Sequence, residues 1–320
     1  MLRFDKIKLV TNIEDVMIID DSLFNITYRD NRISSMKFYQ EVPYSMIIKI
    51  DYESSEAVIE FTGKILKSDY KQLISVETIR QCFHNINNMG FCEIDVEAVL
   101  EHGQVVKCDV TCDLSDIDVP QLSSYIRSNL SNYQHYQCRK LHNGNLIIEK
   151  NVTTRKSMKR ITIYDKGKEM RKSSNVSFSN EHGITGEFDG VCRLEMNLNS
   201  KEQIRNALNI TDTNLMTVLT SDANPLLDYL NEVVSPTKDN ICISDKKTYM
   251  AMLVLRDNDY DLAKVEAKMR EFHPRGTSIG KVMEVYRSVL AESSMLPDRN
   301  EYQNMIHQLS KCVKKPYVSV

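Results

Sequence analysis

Glycine and proline are scarce, at 10 and 7 among 320 residues. That excludes a collagen-like chain, long flexible linkers and low-complexity disorder. Long apolar runs are missing as well. The longest, MAMLVL at 250–255, is far short of the ~20 residues a spanning helix needs. The opening MLRFDKIKLV has no apolar core of signal-peptide length, so no membrane segment is expected. The eight cysteines contain no CxxC pair, which argues against a zinc ribbon or a thioredoxin-type site. A chain of this size buries a core without covalent staples, so reduced cysteines in a cytoplasm are expected. P-loop and helicase motifs are absent. Excess charge is absent too: 41 basic against 44 acidic residues leave net −3, which speaks against a protein that coats nucleic acid along its whole length.

What is present is globular composition, with 42% hydrophobic and 27% charged residues. The front half reads as strands with a few helices. Segments 44–52 and 56–63 form two strands joined by a turn at 53–55. A helix is predicted over 75–89, with Ser75 as cap and Ile79, Cys82, Phe83 and Ile86 on one face. Another is predicted over 119–131, capped by Asp118 with Pro120 in its first turn. Beyond residue 200 the segments 200–208, 212–220, 224–234, 245–256, 259–272, 278–292 and 299–312 all read as helices. The expected class is α+β: an antiparallel sheet packed with helices over 1–200, then an all-helical domain over 201–320.

Three segments alternate in polarity. In 105–114, Val106, Cys108, Val110, Cys112 and Leu114 share one face and Lys107, Asp109, Thr111 and Asp113 the other. In 160–165, Ile161 and Ile163 oppose Arg160, Thr162 and Tyr164. In 192–198, Cys192, Leu194, Met196 and Leu198 oppose Arg193, Glu195 and Asn197. In one antiparallel sheet these strands would gather Asp109, Asp113, Tyr164, Arg193 and Glu195 on one surface. Polar residues on the wet side of a half-buried strand are ordinary. Two Asp on one face are less so, because Asp is disfavoured in strands, and a divalent cation relieves carboxylate repulsion.

Charge is segregated. Residues 91–120 hold eight acids against Lys107 alone, net −7, whereas 150–172 hold nine basic residues against Asp165 and Glu169, net +7. The basic run is either a solvated hairpin or a phosphate-binding surface around Tyr164. Cationic neighbours are expected to favour the phenolate and lower the Tyr164 pKa. A phenolate is a nucleophile able to attack a phosphodiester.

The ordered blocks KCDVTCD, IYDKGKE and RLEMNL, with RFDKIKLV and IEFTGKIL before them, resemble replication proteins of phages and plasmids of the gene II/X type. They are related in pattern to the rolling-circle initiators of small plasmids. The resemblance covers about residues 1–200. It implies a sequence-specific, metal-dependent enzyme that nicks and rejoins one DNA strand at an origin through a 5′-phosphotyrosine. Carried over, Tyr164 is the nucleophile, and Asp109, Asp113 and Glu169 hold Mg²⁺ or Mn²⁺. Arg193 and Glu195 are supporting residues, and Arg155, Lys156, Lys159, Arg160, Lys166 and Lys168 contact DNA. Many rolling-circle initiators carry an H-x-H metal pair. None of the seven histidines forms one, and His135 and His142 read as loop or packing residues. Implied partners are origin DNA that is single-stranded or extruded at the nick, a host helicase and polymerase, and a second subunit. Two rival readings use the same residues. One is a hydrolytic metal-dependent nuclease, the other a non-catalytic DNA-binding replication regulator.

Overall fold

A computed structural model describes residues 2–128, 136–141, 144–150, 159–234, 246–258, 261–273, 279–294 and 299–312. Its strands are β1 (Phe4–Asn12), β2 (Val16–Ile18), β3 (Asn25–Arg29), β4 (Arg32–Gln40), β5 (Met46–Asp51), β6 (Glu56–Thr62), β7 (Cys92–Ile94), β8 (Gln104–Ser115), β9 (Tyr136–Lys140), β10 (Leu146–Lys150), β11 (Arg160–Asp165) and β12 (Val191–Leu198). Ten of them form one antiparallel sheet in the order β3-β4-β5-β6-β1-β8-β12-β11-β10-β9, while β2 and β7 make a small separate pair. Period-two alternation gives this sheet two unlike faces. Ile7, Leu9, Ile48, Phe61, Cys108, Val110, Ile161, Ile163, Leu194 and Met196 line the core face and are all buried. The fold class is α+β, as the sequence pattern predicts.

The helices are α1 (Ile79–Asn87), α2 (Val96–His102), α3 (Val119–Ser128), α4 (Lys166–Met170), α5 (Ser173–Glu181), α6 (Lys201–Leu208), α7 (Leu215–Thr220), α8 (Pro225–Val233), α9 (Lys246–Asp257), α10 (Leu262–Phe272), α11 (Ile279–Ser294) and α12 (Arg299–Cys312). The stripe Ile79, Cys82, Phe83 and Ile86 is buried on α1 as its spacing predicts, but that helix begins at Ile79 with Thr78 as its cap residue, not Ser75. Asp118 caps α3, accepting the Gln121 N–H at 3.0 Å.

The tail helices divide between two cores. Ile204 and Leu208 of α6, Leu215 and Val218 of α7, Leu226 and Leu230 of α8, and Met305 and Leu309 of α12 belong to the same apolar core as the sheet. Helices α9, α10 and α11 bury Leu255, Val265 and Met283 in a second cluster. The boundary expected at residue 200 therefore does not separate two cores, because the helices on either side of α9–α11 cover the sheet. The sulfurs of Cys112 on β8 and Cys312 on α12 lie against each other, 200 residues apart in sequence, while Cys82, Cys92, Cys108, Cys138 and Cys192 are free. Among the described residues no helix is long and apolar enough to cross a membrane.

Candidate active site on the polar face of the sheet

The third of the three alternating segments inserts between the other two. β12 pairs with β8 on one side and β11 on the other, with Arg193 opposite both Asp113 and Tyr164, and Asn197 opposite both Asp109 and Arg160. The polar residues predicted to share one surface do share it. Where two polar residues interrupt β1, the register shifts between Phe4 and Lys6. Such a bulge re-aims a side chain, and here it turns Asp5 toward β8 and β12.

One end of this polar face is covered. The 3-10 segment Gly63–Gln72 brings in Tyr70, and the chain from β11 through α4 and α5 to β12 brings in Lys166, Phe178 and Phe188. Tyr70 packs edge-on against Phe178 and tilted against Phe188. Gly167 permits the cover to close, since a Cβ there would stand 2.8 Å from the Phe188 carbonyl oxygen. Asp165 caps α4, accepting the Lys168 N–H at 2.9 Å. The other end, with Thr162, Glu195, Asn197, Asp109 and Arg160, is half-open.

Arg193 is 0% exposed and organises the covered end. Its Nε and Nη2 donate to the two oxygens of Asp113 at 2.6 and 2.7 Å, and its Nη1 donates to Asp5 Oδ1 at 2.9 Å and to the Tyr70 hydroxyl at 3.0 Å. Tyr70 donates to Asp5 Oδ1 at 2.8 Å and accepts from Lys166 Nζ at 2.8 Å. Lys166 also donates to Glu169 Oε2 at 2.7 Å. Burial would raise the Asp5 pKa, but Arg193 and Lys166 outweigh it and hold the carboxyl below the usual range. At Glu169 burial is likewise outweighed, first by Lys166. A buried charge network of this kind is tolerated because every charge has a bonded partner.

Tyr164 lies at the edge of the cover, 6% exposed. Its hydroxyl donates to Glu195 Oε1 at 2.6 Å. Burial, then the Glu195 charge, pushes the Tyr164 pKa well above 10 despite Arg193, the reverse of the lowering expected from a basic neighbourhood. The cations that should have favoured a phenolate are committed elsewhere: Lys166 to Tyr70 and Glu169, Arg193 to Asp113 and Asp5. Burial and the nearby Asp5 charge raise Glu195 to about 7. Supporting position is thus too weak a description of Glu195, which is the direct bonding partner of Tyr164 and titrates near neutrality.

The carboxylates expected to hold Mg²⁺ or Mn²⁺ do not fit one ion together. Both Asp113 oxygens are taken by Arg193. Glu169 is taken by Lys166 on one oxygen and Asn175 on the other. Only Asp109 keeps an oxygen outside these bonds, its Oδ1 accepting from Asn197 Nδ2 at 2.8 Å. Among the described residues no three His, Cys, Asp or Glu side chains are grouped to hold a metal. The two carboxylates whose charge is least compensated are Asp109 and Glu195, both raised by burial and by Asp5.

Among the described residues the basic flank does not form one surface. Lys166, expected to contact DNA, is 2% exposed and faces inward. Arg160 lies on the polar face and donates to Asn197 Oδ1 at 2.8 Å. Lys168 is exposed and pairs with Asp165 at 3.2 Å. Lys159 is half-buried beside β11. Arg155 and Lys156, with His135 and His142, lie outside the described residues.

Sequence reasoning missed Asp5, Tyr70, Asn175 and Asn197 as parts of the site. The interrupted alternation at Asp5-Lys6 was a usable signal for the first. Tyr70 and Asn175 carry none, because they arrive from the cover. No protein-family model matches the chain, and no curated protein matches it. The resemblance to replication proteins therefore rests on the order of the motifs.

Proposed function

We propose that the chain is a DNA strand transferase of the rolling-circle initiator kind, with Tyr164 as nucleophile and Glu195 as its base. The observation that carries this reading is the 2.6 Å hydrogen bond from the Tyr164 hydroxyl to Glu195, with Glu195 raised to about 7. A base serves best when its pKa lies near the working pH. Tyr164 with its raised pKa is a poor nucleophile alone and needs a base in contact. As the phenolic oxygen bonds to phosphorus, its proton passes to Glu195 Oε1. The bond from phosphorus to the 3′ oxygen breaks, and that oxygen leaves as a hydroxyl after taking a proton from water. The product is a 5′-phosphotyrosine and a free 3′-OH. The reverse reaction rejoins the strand, the tyrosine recovering its proton from Glu195.

Asp109, not Asp113 or Glu169, is the residue with an oxygen left for a divalent cation here. Bound Mg²⁺ or Mn²⁺ supplies polarisation of the phosphate. On this reading the protein works in the cytoplasm on origin DNA with a host helicase and polymerase, as a homodimer.

The test is incubation with single-stranded origin oligonucleotides and Mn²⁺, followed by mapping of the linked residue. A covalent adduct on Tyr164 that disappears in Tyr164→Phe is the expected result. An adduct that persists in that variant overturns the assignment. One observation favours a second reading: Tyr164 is 6% exposed, and water reaches the half-open Glu195 more easily than a phosphate reaches a buried phenol. A hydrolytic nuclease would give cleaved DNA, no adduct, and activity retained in Tyr164→Phe.

A further inference from the structure

The polar face continues past the candidate site, across β8, β1, β6, β5 and β4, and carries lysines in an unusual arrangement. The register sets Lys8 of β1 directly opposite Lys107 of β8, and Lys37 of β4 directly opposite Lys49 of β5. Like charges opposed across strands destabilise a sheet, so two such pairs on one face call for a compensating partner. The chain supplies part of one. Glu60 of β6 accepts from Lys6 at 2.7 Å and pairs with Lys8 at 3.2 Å, and Asp51 pairs with Lys49 at 2.7 Å. Burial would raise Glu60, but Lys6 and Lys8 outweigh it. Glu56 opposes Asp51 at the strand end. With Asp109, which lies opposite Lys6 on this face, five lysines against four carboxylates leave a local excess of one positive charge. Among the described residues no salt bridge is made by Lys37 or Lys107.

The lysines are not loose. Lys6 and Lys8 side chains are 20% and 34% exposed and held beside buried Glu60, and Lys6 Nζ also donates to Ser45 Oγ at 3.2 Å. Lys37 lies 5.8 Å from the centre of the Tyr39 ring, and Tyr39 is 52% exposed. Tyr39 follows Lys37 on the same face, and half-buried Ile47 lies opposite it on β5. Fixed cations beside an exposed aromatic ring on a sheet face suit a strand whose phosphates meet the lysines and whose bases stack. All five lysines sit on strands, and none is carried on a helix that could enter a duplex groove. From β12 to β4 is five inter-strand steps, or about 24 Å at ordinary strand spacing.

We infer that single-stranded DNA lies across this face, its backbone on Lys107, Lys8, Lys6, Lys49 and Lys37 and a base on Tyr39, with one end at Tyr164 and Glu195. The inference deepens the proposed strand transfer and rests on it for the identity of the strand as DNA. It assigns affinity to the β1–β4 half of the sheet, away from the basic motif around Tyr164.

The probe is fluorescein-labelled dT20, with anisotropy read from 50 to 300 mM salt. Two double variants, Lys37→Ala/Lys49→Ala and Lys8→Ala/Lys107→Ala, should each weaken binding about tenfold at 100 mM salt. Each should also reduce the slope of log affinity against log salt by about 1.4, at ~0.7 for each phosphate no longer neutralised. Lys107→Ala alone should leave the thermal midpoint unchanged or raise it, because it relieves the repulsion with Lys8. Wild-type affinity and slope in both doubles overturn the path, as does a wild-type protein that binds a 20-bp duplex or rU20 more tightly than dT20. The two ideas fail separately. Wild-type protein that binds dT20 through these lysines but never forms an adduct removes the transfer reading and leaves the path. Adduct formation with unaltered binding in both doubles removes the path and leaves the transfer reading.

Discussion

Glu195 offers the sharpest test of the site's electrostatics. Its carboxyl is moved from 4.5 to about 7, first by burial and then by the charge of Asp5. A shift of that size corresponds to about 3 kcal/mol between its two protonation states. The sign follows from proton counting. Between pH 4.5 and 7 the folded protein keeps a proton on Glu195 that the unfolded chain has lost. Stability therefore falls as pH rises through this window, and the full cost of the ionised carboxylate is present above pH 7. Glu195→Gln removes the titration while its amide oxygen still accepts from Tyr164. Urea unfolding of both proteins from about pH 5 to 9 reads Glu195 with the groups coupled to it, because the uncoupled groups cancel in the difference. The variant should match wild type near pH 5 and exceed it by roughly 3 kcal/mol at about pH 8.5. The same variant should lose about 10²–10⁴-fold in adduct formation, because the base is gone. A stability difference that stays flat across this pH range would refute the placement of Glu195 as a strongly perturbed acid.

Arg193→Leu should cost about 3–5 kcal/mol in denaturant unfolding, since it strands the carboxylates of Asp113 and Asp5 beneath the cover. Arg193→Lys should also be destabilising, because an ammonium cannot make the paired contact to both Asp113 oxygens. Calorimetric titration with Mn²⁺ should show binding lost in Asp109→Asn and retained in Lys64→Ala, whose side chain bonds Asn175 in the cover; equal binding in wild type and Asp109→Asn would exclude Asp109 as a ligand. Asp118→Ala should lower stability by about 1 kcal/mol through loss of the α3 cap, with no change in binding to dT20.

Much of the site's floor was legible before any coordinates. Alternation in 105–114, 160–165 and 192–198 places Asp109, Asp113, Tyr164, Arg193 and Glu195 on one face because a strand has only two faces. The roles within that face were not legible. Asp113 and Asp109 look equivalent in the alternating pattern, yet Arg193 claims the first and Asn197 binds only one oxygen of the second. Lys166 and Lys168 look equivalent in the basic run, yet one is buried against Tyr70 and the other lies in solvent. Net charge over a window averages such differences away.

The sequence by itself determined the α+β class, most helix segments and the polar face, because these follow from periodicity within short segments. Tertiary structure alone decided which strand lies between which. Inserting β12 between β8 and β11 is what puts Arg193 against Asp113 and Tyr164 at once. It also decided what covers the face, since Tyr70 and Lys166 meet across 96 residues of chain. Whether a polar side chain ends as a ligand, a base or a buried counter-ion depends on partners that arrive from elsewhere in the chain, and local pattern carries no record of them.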